Sequence, residues 1–277
     1  MSIKNKIIEE SDIKTDTLSS LYSELYEAVY KSDKKYKEAF PLSNFVAMRG
    51  SRYDERAEDS IRYMMVGRAV NGWGESIRID SKEIFSSCAV KLFEDRNRFD
   101  SEWCMQDKES NPYSEYYNED KNKQSKYYLS NSPFWETNKR IFQGISGEKK
   151  ADWFEDVVWN NIYKIAPKNY GNPSTNLIYT QALICVKILK EEIKLLRPTH
   201  VLLVIDRSWV SWTRYKNVMF DFMESFDNIV YFQNVVDGDI VQCAFTSNGV
   251  KVVIACRPET KNRDTYSDAV INAFKNI

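Results

Sequence analysis

Apolar residues recur along this chain in two rhythms, stripes at helical spacing and short unbroken runs, and the two alternate. Leu18, Leu21, Leu25 and Val29 lie near helical spacing behind Asp16 and Thr17, either of which can cap, so an amphipathic helix is predicted between Asp12 and Tyr30. Residues 31–60 are charged, with one apolar stretch around Phe45 to Met48, and read as a long connection. Ile61 to Gly67 is a mostly apolar run closed by glycine, which fits a buried strand meeting a tight turn. Ile84, Cys88 and Leu92, four apart on one face, predict a helix headed by Asp80. Residues 105–128 are polar, rich in tyrosine and without a period, which predicts a surface insertion; loops of that length often serve as lids or binding segments. Ser132 and Pro133 open the next helix, and Gly144 or Gly147 suits its end.

The second half is more regular. Val157 to Ile165 reads as a strand, followed by a long helix whose Ala182, Cys185, Leu189, Ile193 and Leu196 form one stripe, stopped by Pro198. Thr199 to Ile205 is a continuous apolar strand, and Ser208 to Phe226 is helix-like and rich in aromatics. Ile229 to Phe232 and Ile240 to Phe245 flank Asp237-Gly238, which predicts a hairpin or two adjacent strands. Val250 to Cys256 is a last buried strand entered through Asn248-Gly249, and a further helix runs from Asp264 to Phe274. Strands separated by helices require long right-handed crossovers, which predicts an α/β fold: a three-layer α/β/α sandwich with a mainly parallel central sheet. No repeat or low-complexity linker forces a boundary. The expected division is an N-terminal helical extension and connection over 1–59 and one α/β/α domain over 60–277 that carries the 105–128 insertion.

Composition narrows the function classes without choosing one. The 277 residues carry 39 Lys+Arg against 40 Asp+Glu, a net charge of -1, which excludes a generally basic nucleic-acid binder and leaves room for a local phosphate-binding patch. No apolar run approaches the roughly 18–20 residues of a membrane span, and the segment MSIKNKIIEE has neither the apolar stretch nor the cleavage site of a signal peptide. A soluble, cytoplasmic protein with no membrane partner is expected. Cys88, Cys104, Cys185, Cys243 and Cys256 are odd in number and never in C-x-x-C pairs, so reduced core thiols are expected in place of disulfides or a ribbon-type zinc site. GRAVNG lacks both the repeated glycines of a dinucleotide fingerprint and the Lys-Ser/Thr of a Walker loop. The sole histidine, His200, stands at the start of its strand and reads as structural, so no metal and no cofactor is expected.

Ligands of open α/β sheets settle beyond the carboxyl ends of parallel strands. Four such ends matter here: Gly67 to Trp73, Asn160 to Pro167, Asp206 to Ser208, and Cys256 to Glu259. The segments VGRAVNGW, VVWNNIYKIAP, LKEEIKLLRPTHVLLVI and VVIACRPET resemble, in order, the motifs of the uracil-DNA glycosylase superfamily. Those motifs are a glycine-bearing loop after the first strand, an asparagine near the second, an E-I-x-x-x-x-P helix leading to the third, and a His-Pro loop after the fourth. The resemblance covers roughly residues 60–258 and is carried by these short segments.

The resemblance implies a uracil-DNA glycosylase-like fold and a hydrolase of N-glycosidic bonds, acting on a damaged or deaminated base of DNA in repair. It places Gly67 and Arg68 in the substrate loop and Asn161 at the base edge, where an amide supplies paired donor and acceptor groups. It places Arg257-Pro258 where the family has His-Pro. The chain departs from the pattern beside Gly67, where Arg68 and Ala69 stand in place of a water-activating Asp, Asn or Glu. Asn71 or Glu75 is then left to orient water, with Asp206 a third candidate that helix capping explains more readily. Arg257 can stabilise the anion on a departing base or hold a phosphate through its planar fork. Trp73, Trp135, Tyr163 and Trp209 can stack an extruded base, Trp73 foremost, although aromatics beside a sheet are more often core. Some family members carry an iron–sulfur cluster; the close Cys pair that would serve it is missing, so none is expected.

Three readings follow. In the first, the chain is a divergent glycosylase-like protein whose partner is DNA or a nucleotide-like ligand. In the second, favoured by Ala69 and by the missing histidine, the same fold binds a nucleic acid, nucleotide or protein partner without catalysis. In the third, a small nucleoside or nucleotide is hydrolysed under a lid formed by 105–128. The first needs Asn161 and Arg257 to face each other across one shared rim.

Overall fold

The computed structural model describes residues 17–29, 31, 42–57, 59–69, 76–77, 132–167, 172–205, 230–231 and 240–277. The helix headed by Asp80, the 105–128 insertion and the helix-like stretch Ser208 to Phe226 lie outside the described residues. In chain order the described elements are α1 (17–29), β1 (Leu42–Asn44), β2 (Met48–Arg49), β3 (Tyr63–Ala69), β4 (Ser76–Ile77), α2 (Pro133–Ser146), β5 (Val157–Tyr163), β6 (Ile165–Pro167), α3 (Thr175–Leu196), β7 (His200–Val204), β8 (Val230–Tyr231), β9 (Val241–Ser247), β10 (Val250–Ala255) and α4 (Arg263–Asn276).

Seven strands form one sheet in the order β2-β5-β3-β7-β10-β9-β8, and β4-β1-β6 form a smaller one. The sheet is mixed. Its four central strands run parallel, through the pairs β5·β3, β3·β7 and β7·β10. Both flanks are antiparallel, β2 on β5 at one side and β9 on β10, then β8 on β9, at the other. The expectation of a mainly parallel sheet therefore holds only for the centre. Asn248 and Gly249, both at positive φ (48° and 78°), turn β9 directly into β10, and such a two-residue turn can only join antiparallel strands.

The strand predicted from Val157 to Ile165 is in fact two. β5 leaves the main sheet at Lys164, and β6 pairs with β1 in the smaller sheet. Helix ends follow local chemistry. Pro133 sits in the first turn of α2, and Gly147 closes it in the left-handed conformation. The Ser174 hydroxyl caps α3 by accepting from the Leu177 N–H, and Asn262 caps α4 by accepting from Asp264 and Thr265.

Side chains of the central strands alternate between two cores, as the period of two requires. Met64, Val66, Val201, Leu203, Val252 and Ile254 join residues of α1 and α3 on one face. Tyr63, Met65, Leu202, Val204, Val253 and Ala255 join residues of α2 and α4 on the other. Helices thus cover both faces. Leu18, Tyr22 and Leu25 of α1, with Leu42 and Val46, lie in the same core as α3, and β2 is a strand of the main sheet. Among the described residues, no helix is long and apolar enough to cross a membrane, no group of His, Cys, Asp or Glu is arranged to hold a metal, and Cys185, Cys243 and Cys256 are in no disulfide.

Candidate functional site

Four adjacent parallel strands bring their carboxyl ends to one edge of the sheet. Register fixes the levels: Gly67 pairs with Asn161, Val66 with Leu203, and Ala255 with Val204. Gly67, Asn161, Ile205 and Cys256-Arg257 therefore share a rim. Asn161 and Arg257 do not stand opposite each other at close range, because β3 and β7 lie between their strands. Three strand spacings separate their backbones by about 14 Å.

The closest relationship at the rim is between neighbours. A Cβ built on Gly67 would come 2.5 Å from Asn161 Oδ1, so glycine is what lets the carboxamide lie against β3. Asn161 is 3% exposed, and its Nδ2 is buried with no hydrogen-bond partner. A buried donor left unmade costs about 1–3 kcal/mol, so an acceptor placed beside this Nδ2 would be held favourably.

Behind Asn161 lies a polar cluster inside the core. Asn160, Lys164 and Glu192 are fully buried. Lys164 Nζ donates to Glu192 Oε2 at 2.6 Å and to Asn160 Oδ1 at 2.5 Å, and Asn160 Nδ2 donates to Glu192 Oε2 at 2.8 Å. Tyr22 of α1 donates its hydroxyl to Glu192 Oε1 at 2.9 Å. Its phenol is held well above the usual range, first by burial and then by the Glu192 charge. Gln181 of α3 binds both backbone groups of Ile165, accepting from its N–H at 3.0 Å and donating to its carbonyl at 2.8 Å. That amide takes the place of a strand at the point where β5 gives way to β6.

Charge gathers on the other side of Gly67. Arg68 is half-buried, and its guanidinium is pushed down to about 10 by burial and by the nearby Arg257 charge. Arg257 is exposed and ion-paired with Glu259. Two cations thus stand at the ends of β3 and β10, with β7 between their strands.

The remaining sequence candidates divide cleanly. Asn71, Trp73, Glu75, Asp206 and Trp209 lie outside the described residues. Tyr163 is buried in the core beneath α3, where burial pushes its phenol up, so it has no open face for stacking. Trp135 is buried on the other face of the sheet, edge-on to Trp159 with ring centroids 5.0 Å apart. His200 sits at the amino-terminal end of β7, away from the rim; Thr199 Oγ1 lies 2.9 Å from its Nδ1, and burial pushes the imidazole down to about 4.

Lys164, Glu192, Asn160 and Tyr22 were not singled out by the sequence. A signal was present for two of them. Lys164 interrupts the apolar run from Ile162 to Ala166, and Glu192 falls between Leu189 and Leu196 on the apolar stripe of α3. A charge in either place has to find a buried partner. In comparisons with known proteins, no family model matches the chain and no curated protein matches it.

Proposed function

We propose that the carboxyl-terminal rim of the sheet is a base-binding site, and that the chain is a divergent uracil-DNA glycosylase-like protein that hydrolyses the N-glycosidic bond of a damaged or deaminated base. One observation carries the reading: the buried Asn161 amide, whose Nδ2 has no hydrogen-bond partner, lies against Gly67 at the end of two parallel strands. An amide offers a donor and an acceptor on one plane, which is complementary to the paired groups on a nucleobase edge.

Three further features support it. The four segments that resemble the family fall on β3, on β5, on α3 leading into β7, and on β10 with the residues after it, and these strands are neighbours. The parallel central block with helices on both faces is the arrangement a three-layer, glycosylase-like sandwich needs. Arg68 and Arg257 add positive charge at the ends of β3 and β10, and a guanidinium can hold a phosphate through its planar fork. With about 14 Å of sheet between Asn161 and Arg257, a ligand touching both is of nucleotide size or larger, its base at Asn161 and a phosphate toward the arginines.

Incubating the purified protein with uracil- and hypoxanthine-containing oligonucleotides and scoring abasic sites tests the hydrolysis. Product is expected from the wild type and not from Asn161→Ala. Folded protein that yields no product on any damaged base would count against catalysis.

A second reading is a non-catalytic nucleic-acid or nucleotide binder. It is favoured by Ala69, which pairs with Tyr163 in the ladder where a water-activating side chain would stand, and by Arg257, which is exposed and engaged with Glu259. A binding titration at two salt concentrations separates the readings' common part from neither being right: phosphate contacts make affinity fall steeply with salt.

A further inference from the structure

We infer that the buried Lys164–Glu192 pair, with Asn160 and Tyr22, is a positioning device: it fixes the Asn161 peptide and so holds the Asn161 carboxamide at the rim. Its purpose rests on the base-binding reading; its geometry does not.

Asn160 and Asn161 are consecutive on β5, so their side chains leave the strand on opposite faces. Asn160 enters the core under α3 and meets a carboxylate, which can only accept, and an ammonium, which can only donate. One orientation satisfies both, with Nδ2 on Glu192 and Oδ1 on Lys164. A flipped amide would set donor against ammonium and oxygen against carboxylate. The ion pair therefore dictates which way Asn160 points. The oxygen so aimed also accepts the backbone N–H of Asn161 at 2.8 Å.

That bond replaces a missing strand. β2 pairs with β5 at Val158 and Trp159 and no further. Beyond it, the Asn160 side chain meets the Asn161 N–H as a neighbouring strand would. Tyr22 on α1 occupies the second Glu192 oxygen, so the carboxylate is held from both sides. The chain of contacts runs from α1 through Glu192 and Asn160 to the peptide that carries the rim amide.

Stability alone is a weak reason for such a cluster. A buried ion pair replaced by apolar residues of like volume is often as stable or more so. What apolar side chains cannot do is choose the orientation of Asn160.

Amide hydrogen exchange on the full-length protein, followed by nuclear magnetic resonance, tests the inference in Glu192→Gln and in the milder Tyr22→Phe. Gln carries no charge and one acceptor oxygen in place of two, so its hold on Lys164 and on the Asn160 amide is weaker. In Glu192→Gln the Asn161 N–H is expected to exchange at least about tenfold faster, while Leu202 in β7 and Val253 in β10, two and three strands away in the same sheet, change by less than about threefold. The side-chain NH2 resonances of Asn161 are expected to shift or broaden with it. Tyr22→Phe should show the same selectivity at smaller size, and stands in if Glu192→Gln fails to fold. The inference is overturned if Asn161 accelerates only in step with Leu202 and Val253, or not at all, or if its side-chain resonances stay where they are. None of these readouts needs a ligand. Failure of the wild type to bind or cleave a uracil-containing oligonucleotide would sink the base-binding reading and leave the positioning device intact.

Discussion

Asn161 and Gly67 occupy space that only one of them can fill: the side-chain oxygen of Asn161 stands 2.5 Å from the point where a Gly67 Cβ would be. Gly67→Ala forces the carboxamide off β3. The backbone at Gly67 needs no positive φ, so the expected effect is steric, about 1–3 kcal/mol of destabilisation. Loss of ligand binding should exceed that loss of stability if the moved group is, as proposed, the amide that reads the base. Thermal melts paired with oligonucleotide titrations measure both.

Removing half of the buried ion pair should be far worse than removing all of it. Lys164→Met strands the Glu192 carboxylate in a fully buried site, and about 3–5 kcal/mol of destabilisation is expected. The double substitution Lys164→Met with Glu192→Leu should recover most of it. Urea unfolding of the two variants checks this, and a single variant as stable as the wild type would contradict the buried pairing.

The lone histidine gives a clean probe of acid behaviour. Burial, and then the Lys251 charge, hold the His200 imidazole down at about 4 in the folded protein. An unfolded histidine titrates near 6.5, so the folded state binds fewer protons between the two values. Stability is untouched above about pH 6.5 and is lost as pH falls from there towards 4. His200→Asn should flatten that part of the curve. The Cε1 and Cδ2 proton resonances of this one imidazole should stay at their neutral positions from pH 8 to about 5.

Glu148 behaves in the opposite sense. Hydrogen bonds from Arg56 and Lys150 hold its carboxyl down at about 2. The stability it contributes is complete above the unfolded carboxyl value of about 4.3 and is lost as pH falls through 2. The stability difference between the wild type and Glu148→Gln should therefore be full at neutral pH and vanish towards pH 2. Because Glu148 and Lys150 are partly exposed, added salt should shrink the difference.

Much of this architecture was legible in the chain. Tyr63 to Gly67, Val201 to Val204 and Val252 to Ala255 are buried on both faces, and a doubly buried strand must be a nearly unbroken apolar run. The α3 stripe and its Pro198 stop were legible for the same reason, since a helix packed on a sheet shows one apolar face. The edges were not. β2 is two residues long and β1 three, too short for any period, and their residues pair with strands more than a hundred positions away. At the site, Gly67 and Asn161 were visible as types, but their contact is a matter of register. The Lys164–Glu192 pair stayed hidden because charged residues usually mark the surface, and only a fold that brings β5 under α3 pairs them.

The central claim is that the Asn161 amide is where a base is read. The most direct test is to compare wild type with Asn161→Ala on uracil- and hypoxanthine-containing oligonucleotides, measuring affinity and abasic-site formation together. The account expects the wild type to prefer at least one modified oligonucleotide over the unmodified sequence, and Asn161→Ala to lose that preference by about tenfold or more while its melting temperature stays near that of the wild type. A preference that survives Asn161→Ala unchanged, or a folded wild type with no preference for any of them, would contradict it.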